Sequence, residues 1–258
     1  MENKNKRISF SELKTWSECS YKHKLRYIDN LSEFNGNEYT AFGTAIHHLC
    51  EKKVVDHQVD DSKLFSDKFE EEISKVTISD PKNVTAMRDQ YIQIAKDLLS
   101  SLNSQFGEYE VHSVEEELFE PLNLEIDSEK THFKGFVDLI LKTEDEKYHI
   151  IDWKSCSWGW NRQKKSDKIL SYQLMLYKKY FSEKYKIDPA KIETYFGLLK
   201  RTANKNSVEI FRVTSGKIKM KRCVDLLEMA LKNIDKSRYI KNRLSCKYCE
   251  FYKTAYCT

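Results

Sequence analysis

Apolar residues recur along this chain with two different periods, and the switch between them divides it. Leu13, Trp16 and Tyr21 follow Ser9-Phe10-Ser11-Glu12 with loosely helical spacing. That tetrapeptide fits a capping box in which Ser9 bonds the amide of Glu12. A second helix is predicted after Gly43-Thr44, carrying Ile46, Leu49, Val54 and Val55. Residues 61–76 and 83–106 read as two further amphipathic helices, separated at Asp80-Pro81 by the imino ring and its restriction on the preceding residue. From Tyr109 onward β-branched and aromatic residues dominate. Strands are predicted at 109–119, 131–142 and 147–155, a long helix at 168–186, and strands at 191–200 and 206–213. A last helix, 217–240, places Val224, Leu227, Leu231 and Ile234 at helical spacing. The pattern predicts one mixed α/β domain over 1–258: mainly helical to residue 108, a sheet and helix region at 109–215, and a C-terminal helix with a cysteine-rich tail.

The second and third strands carry the most information. His-Phe-Lys-Gly-Phe-Val-Asp-Leu-Ile at 132–140 and Tyr-His-Ile-Ile-Asp-Trp-Lys-Ser at 148–155 flank Thr143-Glu144-Asp145-Glu146, which predicts a β-hairpin. Each strand carries one aspartate among apolar neighbours, Asp138 and Asp152, where burial is costly without a partner. Residues two apart on a strand share a face, so Asp152 and Lys154 emerge together while Trp153 points away. Hard oxygen ligands of this kind suit Mg²⁺ or Mn²⁺, which polarise a phosphodiester and acidify a bound water. Lys154 would then stabilise developing negative charge.

Composition narrows the class. The 258 residues are 40% apolar and 12% aromatic, enough for a core, and seven Gly with three Pro leave no long linker. No apolar run of spanning or signal-peptide length occurs, so an intracellular, cytoplasmic protein without membrane contact is expected. The net charge of +4 is mild, but its distribution is uneven. Arg162, Lys164, Lys165 and Lys168 follow the Asp152 strand, and Arg201, Lys205, Lys217, Lys219, Lys221 and Arg222 cluster beyond. These residues suit phosphate neutralisation or a solvated surface. Trp158 and Trp160 beside the first cluster suit base stacking on single-stranded nucleic acid, or the capping of a core beneath the loop.

Seven cysteines in an intracellular chain argue against disulfides. Cys246-Lys-Tyr-Cys249 and Cys257 group three thiols at the C terminus, a soft donor set suited to zinc or iron. Cys50, Cys156 and Cys223 read as structural thiols.

The order Gly43-Thr44-Ala45-Ile46-His47 with Glu51, Gly135-Phe136-Val137-Asp138, Asp152-Trp153-Lys154, and Gln173-Leu174-Met175-Leu176-Tyr177 resembles the RecB-like branch of the PD-(D/E)XK nuclease superfamily. The resemblance implies a restriction-endonuclease-like core with a mixed central sheet flanked by helices. It implies that His47, Asp138 and Asp152 bind the catalytic metal, that Lys154 acts in hydrolysis, and that Gln173 and Tyr177 line the site. Spacing from Gly43 favours His47 over His48. Glu51 shares the helix face of His47 and would reinforce the metal shell, while Glu117, the last of three consecutive glutamates, reads as a solvated strand face. In AddB-type and CRISPR-adaptation members of this branch, one upstream and three C-terminal cysteines hold a [4Fe-4S] cluster. By that resemblance the set here is Cys19, Cys246, Cys249 and Cys257, with zinc as the alternative. Single- or double-stranded DNA is the implied substrate, in a phage or bacterial role in recombination, repair or degradation. No Gly-x-x-x-x-Gly-Lys-[Ser/Thr] loop is present, so any unwinding would come from a helicase or recombination partner. A non-catalytic DNA-binding or docking subunit is the alternative.

Overall fold

The computed structural model describes residues 6–31, 36–123 and 131–258. Strand β1 (Arg7–Ser9) runs straight into α1 (Phe10–Glu18), where the Ser9 hydroxyl accepts the Glu12 amide at 3.2 Å. Only half of the expected capping box forms: the Glu12 carboxylate lies 2.9 Å from His23 Nε2. The first helix is also shorter than its apolar spacing predicts. Cys19 adopts an extended conformation (φ −163°), and its sulfur accepts the Lys22 amide to start α2 (Ser20–His23), followed by a π turn, Lys24–Ile28.

Next come α3 (Glu38–Val55), α4 (Asp61–Ile73), α5 (Pro81–Met87) and α6 (Tyr91–Phe106). Helix α3 begins at Glu38 rather than after Thr44, because the Asn37 side chain caps it by accepting the Tyr39 and Thr40 amides. The single helix predicted at 83–106 is two. At the break, Arg88 pairs with Glu70 on α4 and Gln90 accepts from Arg201, partners that a continuous sequence period does not reveal. Strands β2 (Tyr109–Pro121), β3 (His132–Thr143) and β4 (Tyr148–Cys156) precede α7 (Arg162–Lys165), α8 (Lys168–Tyr185), β5 (Ile192–Lys200), β6 (Val208–Arg212) and α9 (Lys217–Asp235). Helix α9 stops five residues before the predicted end; Ser237 lies in the left-handed region (φ +50°), which a continuing helix does not admit.

The strands form one mixed sheet in the order β1-β3-β4-β5-β6, with β2 along the other edge of β3. The β3–β4 hairpin turns where its sequence predicts, Lys142 facing Tyr148. One edge of β3 is shared: β4 pairs with Leu139 to Lys142, β1 pairs in parallel with His132 to Lys134, and residues 135–138 lie between. Helices α3, α4 and α6 bury one face of the sheet with Leu139, Leu141, Ile151 and Trp153. Helices α1, α8 and α9 bury the other with Phe133, Val137, Ile140, Ile150 and Phe196.

Strict alternation along β3 fails at one point. Phe133, Val137 and Ile140 pack on the α8 side while Leu139 and Leu141 pack on the α3 side, so the pleat slips by one residue at Asp138. A local irregularity of this kind re-aims a side chain.

Candidate active site

The slip in β3 turns Asp138 into the opening between β1 and β4. Its Oδ2 accepts the Trp153 amide at 2.6 Å, and its Oδ1 lies 3.5 Å from His47 Nδ1. Helix α3 can bring His47 this close because Gly43 packs against β4: a Cβ there would sit 3.3 Å from Ser155 Oγ. On β4, Trp153 turns into the α3-side core, where Gly197 leaves room for its indole; a Cβ at 197 would fall 2.1 Å from the ring. Asp152 and Lys154 therefore share the opposite face, with Lys154 Nζ 2.5 Å from Asp152 Oδ2 and 5.9 Å from the Phe196 ring centroid. From α8, Gln173 donates to the Tyr177 hydroxyl at 2.9 Å. Gly135 admits Tyr177, whose ring edge would stand 2.8 Å from a Cβ.

Electrostatics mark the same spot. Asp152 is 2% exposed, and burial pushes its carboxyl up to about 6 against the pull of Lys154. Burial acts against a charged His47, yet the charge and hydrogen bond of Asp138, with Asp152 beyond, hold its imidazole above the usual value. Burial first, and the Asp152 charge second, raise the Tyr177 phenol well above its ordinary range.

The pattern of charges singles out one more residue. Glu51, one turn beyond His47, is pushed up to about 8 by burial and by Glu115, with which it shares a hydrogen bond. Glu115 falls between the Val114–Leu139 and Glu116–Val137 pairs, the position facing Asp138, and its φ of +48° is strained for a non-glycine residue. Glu117 is exposed and lies 3.3 Å from Lys134, a solvated strand face as expected. Glu116 is tied to Lys184 and Tyr185 of α8. Glu115 is itself exposed, and which of the three successive glutamates stands opposite Asp138 depends on a shift in register between Val111 and Ser113, which no local signal encodes. His48 turns toward Lys52 and Lys68, away from the aspartates.

Two openings meet at this site. A groove of about 1180 Å³ runs from Lys154 between α1, α7 and α8 to Tyr248, lined by Lys14, Lys22, Arg26 and Lys164. A recess of about 500 Å³ on the β1 side shares Ser11, Tyr27 and Gln173 with the groove and reaches Tyr177. Lys164 and Trp160 line the groove, with Lys164 Nζ 4.8 Å from the indole centroid. Trp160 also packs on Phe196 and Phe211, which makes it part of the core edge. Lys165 pairs with Glu209, while Arg162 and Trp158 are exposed, the indole by 79%. The groove cations on α1, on α2 and in the π turn were not picked out from sequence.

Cys19, Cys246, Cys249 and Cys257 line one small pocket. The Cys19 sulfur accepts backbone amides from Lys22 and Asn242, at 3.5 and 3.3 Å, and Tyr21 N donates to Ile240 O, joining the N-terminal turn to the C-terminal tail. Four thiols, with two amides directed at the Cys19 sulfur, are a donor set of the kind that an iron–sulfur cluster or zinc takes. The site at Asp138 offers carboxylate oxygens and an imidazole, which fit Mg²⁺ or Mn²⁺. Among the described residues, no three His, Cys, Asp or Glu side chains are grouped closely enough to hold a metal ion as they stand. No helix among those residues is long and apolar enough to cross a membrane.

A mixed sheet flanked by helices, with its acids at the splayed edge of a hairpin, defines a restriction-endonuclease-like core. The sequence matches the PD-(D/E)XK nuclease superfamily over residues 7–255, and the chain belongs to that superfamily. Its fold is similar to the crystal structure of a candidate exonuclease from Eubacterium rectale, with a TM-score of 0.54 at 11% identity over 95% of this chain and 86% of that one. A structure named SSO0001 aligns over 93% of each chain at 14% identity, with a TM-score of 0.39, too low to bear on the fold. No curated protein matches the sequence.

Proposed function

We propose that the protein is a divalent-metal-dependent deoxyribonuclease acting as an exonuclease. The observation that carries this reading is the convergence of His47, Asp138, Asp152 and Lys154 from three elements on one opening of the sheet. Mg²⁺ or Mn²⁺ held by His47, Asp138 and Asp152, with Glu115 and Glu51 behind them, would neutralise the scissile phosphate and acidify a water. The Trp153 amide fixes the direction of the Asp138 carboxylate. Lys154, held by Asp152, is suited to stabilise negative charge developing on phosphate oxygens. Gln173 and Tyr177 form a bonded pair that orients substrate beside it. Cations along the groove, with Arg162, Lys164, Lys165, Trp158 and Trp160 at its α7 side, would hold the DNA backbone and bases.

The four-cysteine pocket supports a [4Fe-4S] cluster that clips the first helices to the tail within a single domain. The setting that fits is cytoplasmic DNA recombination, repair or degradation, with unwinding supplied by a helicase partner. The test is degradation of 5′- and 3′-labelled single- and double-stranded DNA with Mg²⁺ or Mn²⁺ against EDTA. Metal-dependent release of label, lost in Asp152→Ala and Lys154→Ala, is expected. Intact DNA after incubation with anaerobically purified wild type would overturn the reading.

A further inference from the structure

The recess on the β1 side has a composition that the hydrolytic groups do not explain. Phe136 on β3 is 42% exposed beside the reactive aspartate, where a half-buried strand would otherwise place a polar residue. Lys134 sits 5.3 Å from its ring centroid, and Arg7 enters from β1. The parallel register sets Arg7 against His132 and Ser9 against Lys134, so both cations stand on the same short stretch of sheet. Tyr27, from the π turn, lines the recess as well as the groove. An exposed aromatic face with two cations is the combination that holds a nucleotide by stacking and phosphate neutralisation.

Size gives the recess its distinctive property. Its 500 Å³ falls in the ~300–1,000 Å³ range of small-molecule sites, less than half the volume of the groove. It meets the groove at Ser11, Tyr27 and Gln173, beside Tyr177. A strand lying in the groove and passing Lys154 would next meet this smaller space, lined by Arg7, Lys134 and Phe136.

We propose that this recess is the receiving site for the end of the nucleic-acid strand, with Phe136 stacking the terminal base and Arg7 and Lys134 holding its phosphate. The proposal rests on the nuclease reading and deepens it. The site measures cleavage from a free end and makes mono- and dinucleotides the products. Glu117, 3.3 Å from Lys134, exchanges this cation with the incoming phosphate.

The test compares wild type with Phe136→Ala, Arg7→Ala and Lys134→Gln on a linear oligonucleotide and on the same sequence closed into a circle. Thermal melting checks that each variant folds; the three positions lie at the surface on two strands, so loss of one variant leaves the others. Wild type is expected to prefer the linear form and to yield mono- and dinucleotides. Phe136→Ala is expected to lower that preference about tenfold, the scale of one lost base stack, and Arg7→Ala and Lys134→Gln to lower it through loss of a phosphate contact. Binding of 5′- and 3′-deoxyadenosine monophosphate, followed by calorimetry in EDTA, is expected to weaken in parallel, and the tighter of the two reports strand polarity. Variants that keep the wild-type preference and mononucleotide binding overturn the proposal. Equal cutting of circle and line by wild type overturns it, and with it the exonuclease part of the proposed function, while metal-dependent nuclease activity stands. A wild type that cuts neither substrate with Mg²⁺ or Mn²⁺ removes both.

Discussion

The backbone amide of Trp153 donates to the side chain of Asp138, at 2.6 Å, where β3 and β4 cease to pair beyond Leu139 and Ile151. A carboxylate thus takes the place of a strand at this point of the sheet. The bond satisfies a buried donor and leaves the other carboxylate oxygen facing His47.

Structure and catalysis can therefore be separated at Asp138. Asparagine keeps an acceptor for the Trp153 amide but loses the charge, whereas alanine loses both. Asp138→Asn is expected to retain near wild-type urea stability and to lose metal-dependent cleavage. Asp138→Ala is expected to lose cleavage and, in addition, about 1–3 kcal/mol of stability, the cost of an unsatisfied buried donor. Equal urea midpoints for the two variants would show that the bond contributes nothing.

Gly197→Ala tests the packing that directs β4. The added methyl would collide with the Trp153 ring, and the indole is fully enclosed, so the strand itself must shift. A loss of roughly 1–3 kcal/mol is expected from overpacking. Cleavage should fall further than this loss of stability explains, because Asp152 and Lys154 flank the displaced residue. Tryptophan fluorescence and turnover measured on the folded fraction check both parts.

Glu51 and Glu115 share a site that a cation would relieve. A half-buried acid raised to about 8 binds its proton more tightly in the folded protein, so the metal-free fold loses stability as pH rises from about 4.5 to about 8. Glu51→Gln removes that loss. In EDTA the variant should melt above wild type at pH values beyond about 8 and level with it below about 4.5. Added Mg²⁺ should narrow or reverse the gap, and Glu115→Gln should raise the Mg²⁺ concentration needed for cleavage.

Cys19→Ser probes the clip between the chain ends. Protein purified without oxygen is expected to show visible iron–sulfur absorbance with stoichiometric iron and sulfide, all lost in the variant. Closing a loop of more than two hundred residues, from Cys19 to Cys257, should be worth several kcal/mol, roughly, so a large fall in melting temperature is expected. Zinc in place of iron on elemental analysis would retain the clip and change its chemistry.

Much of the architecture is local and was readable as such. Helices α3, α4, α8 and α9 and the β3–β4 hairpin follow from apolar spacing and turn residues, properties of neighbouring positions. The Asp152-Trp153-Lys154 alternation is likewise local, because a strand's side-chain period is two. Ends and breaks were less legible. The interruption at 88–90 answers to Glu70 and Arg201, and the halt at Cys19 to the C-terminal tail.

What the sequence by itself determined was the set of chemical groups and their order: His47, Asp138, Asp152, Lys154, Gln173, Tyr177 and four grouped cysteines. Tertiary structure decided how they meet. Pairing of β1 with β3, across more than a hundred residues, leaves the opening at 135–138; the slip of the pleat aims Asp138 into it; and the shifted register of β2 selects Glu115 over its two neighbours. The physical reason is that periodicity tells which face a residue takes within its own element, while the positions of strand edges and bulges follow from contacts between segments remote in the chain.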